Sequence, residues 1–474
     1  MVNKLWGGRF QKEPHQALLA FLSSEDAALD TQLAKFDIEG SLAHVCMLAK
    51  QRILKPSEAQ ELISLLLQLY KQASEGKFTV DESQEDIHTA VELAISKQTD
   101  AGKNMHIGRS RNDQISLDMR LYMREAILQL AEGILQVQGS LAKLSSKDTI
   151  FPYYTHFQVA QPSSVHLWAH SYFCGFERDI ERLLELFERV NVSPLGAGAG
   201  TGTDWNIDIN YTSSLLGFKA PFKNPIDAVS SRGELEAELL SILVSAMIRC
   251  SRISEDIILL SNKKLIFLPD EFSTGSSMMP QKKNPDPFEL IRGKAARLFG
   301  LYAHCSVLLK NLPTGYSKDS QESKFAVISG VNTALSTFSI LSKMLPLLEF
   351  NKEKIAKELE DGFASATSLA DMLVAKGIPF RKAHELTGKV VNYCISEGKS
   401  LSELSSSILS SLTGVSFSEE ELAKTLSIDK TNKFKKLYPF PKSSLAAKAV
   451  ASKKKLLSKA RKKLLKAASA LVKR

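Results

Sequence analysis

The sequence predicts a mainly α-helical protein of three domains, built around a central bundle of long helices. Its 474 residues allow about three domains at the usual size of roughly 100 to 200 residues each. Apolar residues return every three or four positions through long stretches with few prolines or glycines, which is the period of an amphipathic helix. Runs typical of β-strands are rare.

The three predicted domains differ in their helical patterns. Residues 1–110 have short, mixed helical segments, whereas residues 111–359 contain long ones. The segment 235–265 is apolar on most sides, which is typical of a helix in the middle of a bundle. Residues 360–474 break into short amphipathic pieces, so they predict a small helical domain. The predicted long helices cover residues 115–144, 164–190, 235–265, 287–309 and 324–348.

The positive charge is confined to the C-terminal tail. The chain has 61 Lys and Arg against 52 Asp and Glu, a net charge of +9. Residues 430–474 hold 16 of the basic residues and no acidic one, which leaves residues 1–429 with a net charge of −7. In residues 452–474, leucines and alanines recur at helical spacing between lysines, so we predict a basic amphipathic helix. We expect it to dock on the acidic body or on a neighbouring subunit, with anionic lipid or nucleic acid as less favoured partners.

The cysteine pattern and the termini indicate a cytoplasmic protein. The five cysteines are isolated and form no pair at zinc-binding spacing, so we expect reduced core residues. The N-terminus lacks a secretory apolar segment, and the longest nearly apolar stretch, around residues 239–248, is too short to span a membrane. No metal or nucleotide motif is present in the sequence, so we expect no cofactor.

The segment 273–287, STGSSMMPQKKNPDP, is predicted to be a loop because it places Gly, Ser, Asn and Pro between two helices. Helix capping accounts for its end, since Asp286 can cap the next helix, Pro287 suits its first turn and Glu289 has capping-box spacing. Two adjacent hydroxyls, two adjacent lysines and an asparagine are left unexplained. Together with backbone N–H groups, they form a plausible pocket for a carboxylate or a developing oxyanion.

Two further polar segments allow both a structural and a functional interpretation. Arg111 and Asn112 precede a helical pattern, so we expect them at a helix N-terminus, where anions bind, and we expect Asp113 to be a plain N-cap. Gln321 and Lys324 are three residues apart and could share a helix face. From the residues alone, however, their segment is typical of a solvated surface.

The segment GSSMMPQKKNPD at 275–286 resembles the signature loop of the fumarase/aspartase superfamily, whose members eliminate across a succinyl carbon–carbon bond to release fumarate. Within that superfamily the sequence resembles the argininosuccinate lyase family in particular, over roughly residues 5 to 390. The segments that carry this second resemblance are LWGGRF at 5–10, EDIHTA at 85–90, GRSRNDQ at 108–114, THFQVAQP at 155–162 and GIPFRKAHE at 377–385.

The resemblance implies a fumarase/aspartase-type fold and β-elimination of argininosuccinate to L-arginine and fumarate, the final step of arginine biosynthesis. Ser276 matches the family's base, and Lys282 would stabilise the developing charge. His156 lies in a short extended piece where a lone histidine is more often structural; the resemblance makes it the second catalytic group, paired with Glu289. Either His156 or a water could protonate the leaving nitrogen. The substrate-binding residues implied are Ser24, Arg111, Asn112, Thr155, Asn284, Tyr316, Gln321 and Lys324.

The resemblance also implies a homotetramer whose active sites combine loops from three subunits. Other superfamily activities, such as adenylosuccinate lyase, aspartase or fumarase, are the nearest alternatives. A non-enzymatic protein such as a lens crystallin of this fold, or a nucleic-acid binder using the tail, is the alternative from another class. The departures from the family pattern are Ala90 and Val91, Ser231 and Gly233 beside Arg232, Ser320 and Ser323 around Gln321, and SSLAAKAV at 443–450.

Overall fold

The computed structural model describes residues 15–23, 26–81, 84–147, 149–441 and 445–472. In this part of the chain the strands form only two-stranded pairs, and helices make up the rest of the regular structure. The mainly α prediction is therefore confirmed. The N-terminal helices are α1 (Gln16–Ser23), α2 (Asp26–Lys50), α3 (Pro56–Ser74) and α4 (Ile87–Ser96).

The five predicted long helices are all present, and each begins or ends within a few residues of its predicted bounds. They pack against one another around a continuous apolar core that includes Phe176, Phe288 and Phe338. In chain order, the central elements are α5 (Arg111–Ser145), β1 (Ile150–Thr155), β2 (Gln158–Ser164), α6 (Val165–Val190), β3 (Val192–Ser193), α7 (Ile209–Leu215), β4 (Ala220–Pro221), α8 (Pro225–Ser230), α9 (Glu234–Asn262), β5 (Ile266–Phe267), β6 (Thr274–Gly275), β7 (Lys283–Asn284), α10 (Asp286–Leu308), α11 (Ser323–Met344) and β8 (Glu349–Phe350).

The C-terminal helices fall into two groups by the core they join. Residues between Leu369 and Leu426 form a small apolar core of their own. The last helix instead buries Val450, Leu464 and Ala468 in the core of the main body. The three-domain division stays a prediction. The helices are α12 (Lys352–Asp361), α13 (Ala366–Ala375), α14 (Phe380–Glu397), α15 (Ser406–Thr413), α16 (Glu419–Leu426), α17 (Thr431–Leu437) and α18 (Leu445–Val472).

The bundle has two ends that matter for function. Helices α9 and α10 are antiparallel neighbours: the Cys305 thiol contacts the Gly233 carbonyl at one end, and Arg292 pairs with Glu255 near the other. We call the end where α5, α9 and α11 begin the pocket end, and the end where α9 stops and α10 begins the hairpin end. The 29 residues of α9 separate these ends by about 43 Å at 1.5 Å per residue.

The basic tail docks on the body, as the sequence predicts. Helix α18 packs against α2, α3, α5, α6 and α7, and it begins at Leu445, earlier than the predicted tail. Lys454 pairs with Glu132 at 2.6 Å, Lys453 pairs with Glu188, and Arg461 pairs with Glu125 at 3.0 Å and with Glu39. The charge excess of the tail is thus partly neutralised by the acidic body.

The cysteines and the most apolar long helix lie mostly in the interior of the protein. All five cysteines are free, and all but the half-buried Cys174 are buried. Within the described residues one helical segment, 318–347, has the length and hydropathy of a membrane span. That segment contains α11, which packs among α5, α9 and α10, and just over half of its apolar window is buried inside the protein.

Candidate active site

A polar cavity of about 260 Å³ lies at the pocket end of the bundle. It brings together five residues that the sequence analysis assigns to substrate binding, although they come from distant parts of the chain. The cavity is lined by these five residues, Arg111, Asn112, Tyr316, Gln321 and Lys324, and by Asp30, Glu85, Asp86, His88, Ile115, Arg232 and Lys318.

The start of α5 places Arg111 and Asn112 at this cavity. Ser110, and not Asp113, is the N-cap, so that part of the prediction is wrong. The Ser110 hydroxyl accepts from the Asn112 N–H at 3.3 Å, and the Asp113 carboxylate accepts from the Ser110 N–H at 2.9 Å. The other oxygen of Asp113 accepts from the backbone N–H groups of Gly196 and Gly198. Asp113 therefore fastens a glycine-rich loop to the first turn of α5.

Arg111 is fixed by the EDIHTA segment. Its guanidinium lies 3.2 Å from the Glu85 carboxylate and 3.3 Å from that of Asp86, and it donates to the Thr89 hydroxyl at 2.8 Å. Burial opposes ionisation of Asp86, but His88, Arg111 and hydrogen bonds from Thr89 together lower the pKa of its carboxyl. The guanidinium is therefore positioned before any ligand binds.

Lys324 is a buried cation in the cavity wall. Its ammonium lies 2.6 Å from Asp30, and the side chains of Lys324 and Asp30 are only 4% and 1% exposed. The second oxygen of Asp30 accepts from the Ile87 N–H at 2.9 Å. The interpretation of this segment as a solvated surface is therefore wrong for Lys324. Its neighbour Gln321 lies in a 3-10 turn and donates to the Leu22 carbonyl at 3.2 Å.

A buried polar cluster lies directly behind the cavity. His88 Nδ1 is 2.7 Å from Asp37 and 3.7 Å from Asp118, and Gln114 donates to Asp37 at 2.9 Å. Burial raises the pKa of Asp118, and the nearby carboxylates of Asp37 and Asp30 raise it further. Asp37, His88 and Asp118 could together ligate a cation, although Lys324 and Arg109 already supply positive charge nearby. The absence of a metal cofactor stays a prediction.

Asp30, His88 and Arg232 also line the cavity, although no sequence motif predicted a role for them. Asp30 and Asp37 are seven residues apart in α2, so they lie on one face of that helix, and this spacing is the signal that could have linked them. Arg232 is buried, and its Nε and Nη2 have no hydrogen-bond partner among the described residues. It is thus an available donor at the pocket end.

His156 and Thr155 lie at the opposite, hairpin end. They belong to the tight connection between β1 and β2, where His156 and Phe157 both have positive φ values of 52° and 60°. Both predicted residues are exposed. His156 borders a second cavity of about 720 Å³, in which Asp256 accepts from Trp168 and Tyr172.

The signature loop is also at the hairpin end, just before α10. Strands β6 and β7 pair Thr274 with Asn284, so residues 276–282 form the connection between them. The Ser276 hydroxyl oxygen accepts from the backbone N–H groups of Met279 at 3.0 Å and Met278 at 3.3 Å. Lys282 is exposed, and the Asn284 amide donates to the Gly275 carbonyl at 3.3 Å.

The predicted capping of α10 by Asp286 is wrong. Asp286 is the first residue of the helix, and its carboxylate accepts from the Thr274 hydroxyl, which ties the base of the loop together. Glu289 is exposed in the first turn, 3.8 Å from Arg292. No contact between Glu289 and His156 is present among the described residues of this chain, and their pairing stays a prediction.

The predicted site residues therefore form two groups, at the pocket end and at the hairpin end, about 43 Å apart along α9. Ser24 and the LWGGRF segment lie outside the described residues.

Two of the departures from the family pattern have clear local roles. Ser231 accepts from Arg120, and Gly233 has a φ of +93° with Leu309 packed where a Cβ would lie.

Ala90, Val91, Ser320 and Ser323 are all buried. The hydroxyls of the two serines bond to backbone carbonyls in their own turns. These departures are therefore accommodated within the fold.

The chain resembles known proteins over most of its length. Residues 9–300 match a family model described as lyase, and residues 363–431 match one described as argininosuccinate lyase C-terminal. The argininosuccinate lyase of Acetivibrio thermocellus is 40% identical over 90% of this chain and 93% of that protein. That of Pelotomaculum thermopropionicum is 43% identical over 85% of this chain and 88% of that protein.

Two solved structures share the fold. An EDDS lyase in complex with formate superimposes with a TM-score of 0.81 at 24% identity, over 98% of this chain and 97% of that one. A class II fumarase from Schistosoma mansoni gives a TM-score of 0.69 at 15% identity, over 88% and 91% of the two chains. From its family matches and its sequence relatives, the chain belongs to the argininosuccinate lyase family of the fumarase/aspartase superfamily and is a carbon–nitrogen lyase.

Proposed function

We propose that this protein cleaves argininosuccinate into L-arginine and fumarate, as the final step of arginine biosynthesis in the cytoplasm. The observation that carries the proposal is the pocket-end cavity, where Arg111 and Lys324 are held in place beside Asn112, Tyr316 and Gln321. Fixed cations and amides of this kind bind carboxylates well, and argininosuccinate carries several. The named relatives carry the same activity in their names.

In the proposed reaction, the Ser276 oxygen removes a proton from the carbon beside a succinyl carboxylate. The electron pair of that C–H bond forms the new C=C bond of fumarate, the C–N bond breaks, and the guanidino nitrogen takes up a proton from His156 or a water. Lys282 and Asn284 would stabilise the negative charge that develops on the carboxylate, and such donors are typically worth about 3 kcal/mol each.

A serine hydroxyl is a weak base, so its environment has to favour the alkoxide. Two backbone N–H groups already point at the Ser276 oxygen, from Met278 and Met279. Hydrogen bonds to the charged form of a group favour that form. The ammonium of Lys282 would add to this effect if the loop closes over the substrate.

We further propose that the active site is shared between subunits of a homotetramer. The two groups of site residues are about 43 Å apart in one chain, so one chain alone cannot place both on one substrate. Large apolar side chains are exposed along the bundle, including Ile248, Leu290, Phe299 and Val307. Such side chains favour burial against another subunit. Because His156 and Glu289 make no contact among the described residues of one chain, their predicted pairing would form between different subunits.

The direct experiment measures fumarate release by ultraviolet absorbance. The protein is supplied in turn with argininosuccinate, adenylosuccinate, aspartate and malate, and we expect fumarate from argininosuccinate alone. Faster release from one of the other substrates would place the protein in a different branch of the superfamily. No release from any of them, by a folded protein, would favour a non-enzymatic role.

The assignment of the base is tested by Ser276→Ala, with Ser277→Ala as the matched control. We expect Ser276→Ala to abolish fumarate release while leaving the helical signal and the oligomeric state unchanged, because the side chain supports no other element. Ser277→Ala should keep most of the activity. Retention of most activity in Ser276→Ala would contradict the assignment.

A further inference from the structure

Helix α18 carries more positive charge than its docking on the body uses. The helix has nine basic residues and no acidic ones. Lys453, Lys454 and Arg461 pair with carboxylates of the body, and Lys463 donates to the Ser214 hydroxyl. The other five are Lys448, Lys455, Lys459, Lys462 and Lys466, which we call the lysine ridge.

The lysine ridge is a straight, narrow line of charge. At 3.6 residues per turn, its five members fall within about 60° of the helix circumference and extend over about 27 Å. All five are exposed, and none forms an ion pair with a carboxylate in the described part of the chain. Five unpaired ammonium groups this close together repel one another. They also produce a strong positive electrostatic potential along this side of the helix.

The ridge lies opposite the docking face. The buried residues of α18 are Val450, Leu464 and Ala468, which lie about 160° to 200° around the helix from the ridge. The body therefore covers the apolar face and leaves the lysines directed into solvent. Docking explains the apolar residues and the paired cations, but it does not explain the ridge.

We propose that the lysine ridge binds the phosphodiester backbone of nucleic acid, independently of base sequence. A linear row of cations matches a linear row of phosphates. The ridge has no arginine or aromatic side chain with which to contact bases, so contacts to the backbone are the ones available. The catalytic site is not involved, because the ridge belongs to a different part of the fold.

An anionic membrane fits the ridge less well than nucleic acid does. Amphipathic helices bind membranes by inserting their apolar face among the headgroups, and here that face is already buried against the body. Among the large apolar side chains of α18, Leu456 and Leu445, at the start of the helix, are substantially exposed. The experiment therefore has to distinguish binding to lipid from binding to nucleic acid.

The test measures fluorescence anisotropy of the full-length protein with a labelled DNA duplex and with a labelled single-stranded RNA. If five phosphates are contacted on the duplex, the logarithm of the binding constant should fall with that of salt concentration at a slope of about −4.5, or about 500-fold from roughly 50 to 200 mM salt. The quadruple variant K455Q/K459Q/K462Q/K466Q should lose most binding and keep its fumarate release. A slope near zero would overturn the proposal.

The matched control removes the same charge from elsewhere on the surface, in K97Q/K264Q/K352Q/K424Q. These lysines are exposed and scattered, so binding should persist in this variant. Equal loss in both variants would mean that net charge, and not the ridge, is responsible, and would overturn the proposal. So would absence of binding at low salt, or binding to phosphatidylserine vesicles that exceeds binding to either nucleic acid.

Discussion

Single residues at the pocket end show how a polar site is maintained inside an apolar bundle. Lys324 and Asp30 neutralise each other in the cavity wall, and Arg111 is held between two carboxylates. Burying one charge without its partner is costly, whereas a paired and hydrogen-bonded charge is tolerated. The sequence could identify Lys324 only through the family resemblance, because its partner Asp30 lies almost 300 residues away.

The buried pair predicts the effect of removing one charge. We expect Lys324→Met to lower the free energy of unfolding by about 3–5 kcal/mol, because Asp30 is then left as an uncompensated buried carboxylate. The double variant D30N/K324M should recover most of that loss. Urea unfolding measures the free energy of unfolding of both variants. Neither variant should release fumarate.

The double variant is the control that separates stability from function. If D30N/K324M is as unstable as Lys324→Met, the cost lies in lost packing and not in the unpaired charge. If either variant keeps most of its fumarate release, Lys324 does not bind the substrate.

At the scale of the element, periodicity predicted the long helices well and the connections less well. Each long helix has a wide apolar face that buries in the bundle, so its pattern was sufficient. Caps depend on single side chains with several possible partners, and two of them were assigned wrongly. Asp113 accepts hydrogen bonds from the glycine-rich loop and from the Ser110 N–H. Asp286 accepts from the Thr274 hydroxyl at the base of the signature loop.

The docking of α18 predicts that its two kinds of leucine differ in their contribution to stability. Leu464 is 1% exposed and belongs to the core of the body, whereas Leu456 is 47% exposed. We expect Leu464→Ala to lower the free energy of unfolding by about 2–5 kcal/mol, the usual cost of a cavity in a packed core. Leu456→Ala should lower it by about 0.5 kcal/mol or less.

Chemical denaturation of the two alanine variants provides the measurement. A similar small effect for both would contradict the docked position of α18. Leucine carries no charge, so neither substitution changes the charge of the lysine ridge.

At the scale of the whole molecule, the sequence predicted which residues form the candidate site but not where they lie in one chain. The family resemblance identified Ser276 and His156 at the hairpin end and Lys324 at the pocket end, whereas the helical pattern itself predicted Arg111 at a helix N-terminus. Local patterns carry no information about distances between elements. The separation of about 43 Å follows only from the antiparallel order and length of the bundle helices.

The shared active site is tested most directly by mixing two inactive variants, one from each end of the bundle. Asn112→Ala removes a group at the pocket end, and Ser276→Ala removes the proposed base at the hairpin end. Each alone should be inactive. Co-expressed with different tags and purified through both, they should form mixed tetramers in which some sites receive both intact groups.

For random mixing of equal amounts, about two sevenths of the sites in the mixed tetramers should be intact, so fumarate release should recover to about that fraction of the wild-type rate. We expect this recovery in the doubly tagged protein and none in either variant alone. Mixed tetramers that remain as inactive as the single variants would contradict a site assembled from different subunits.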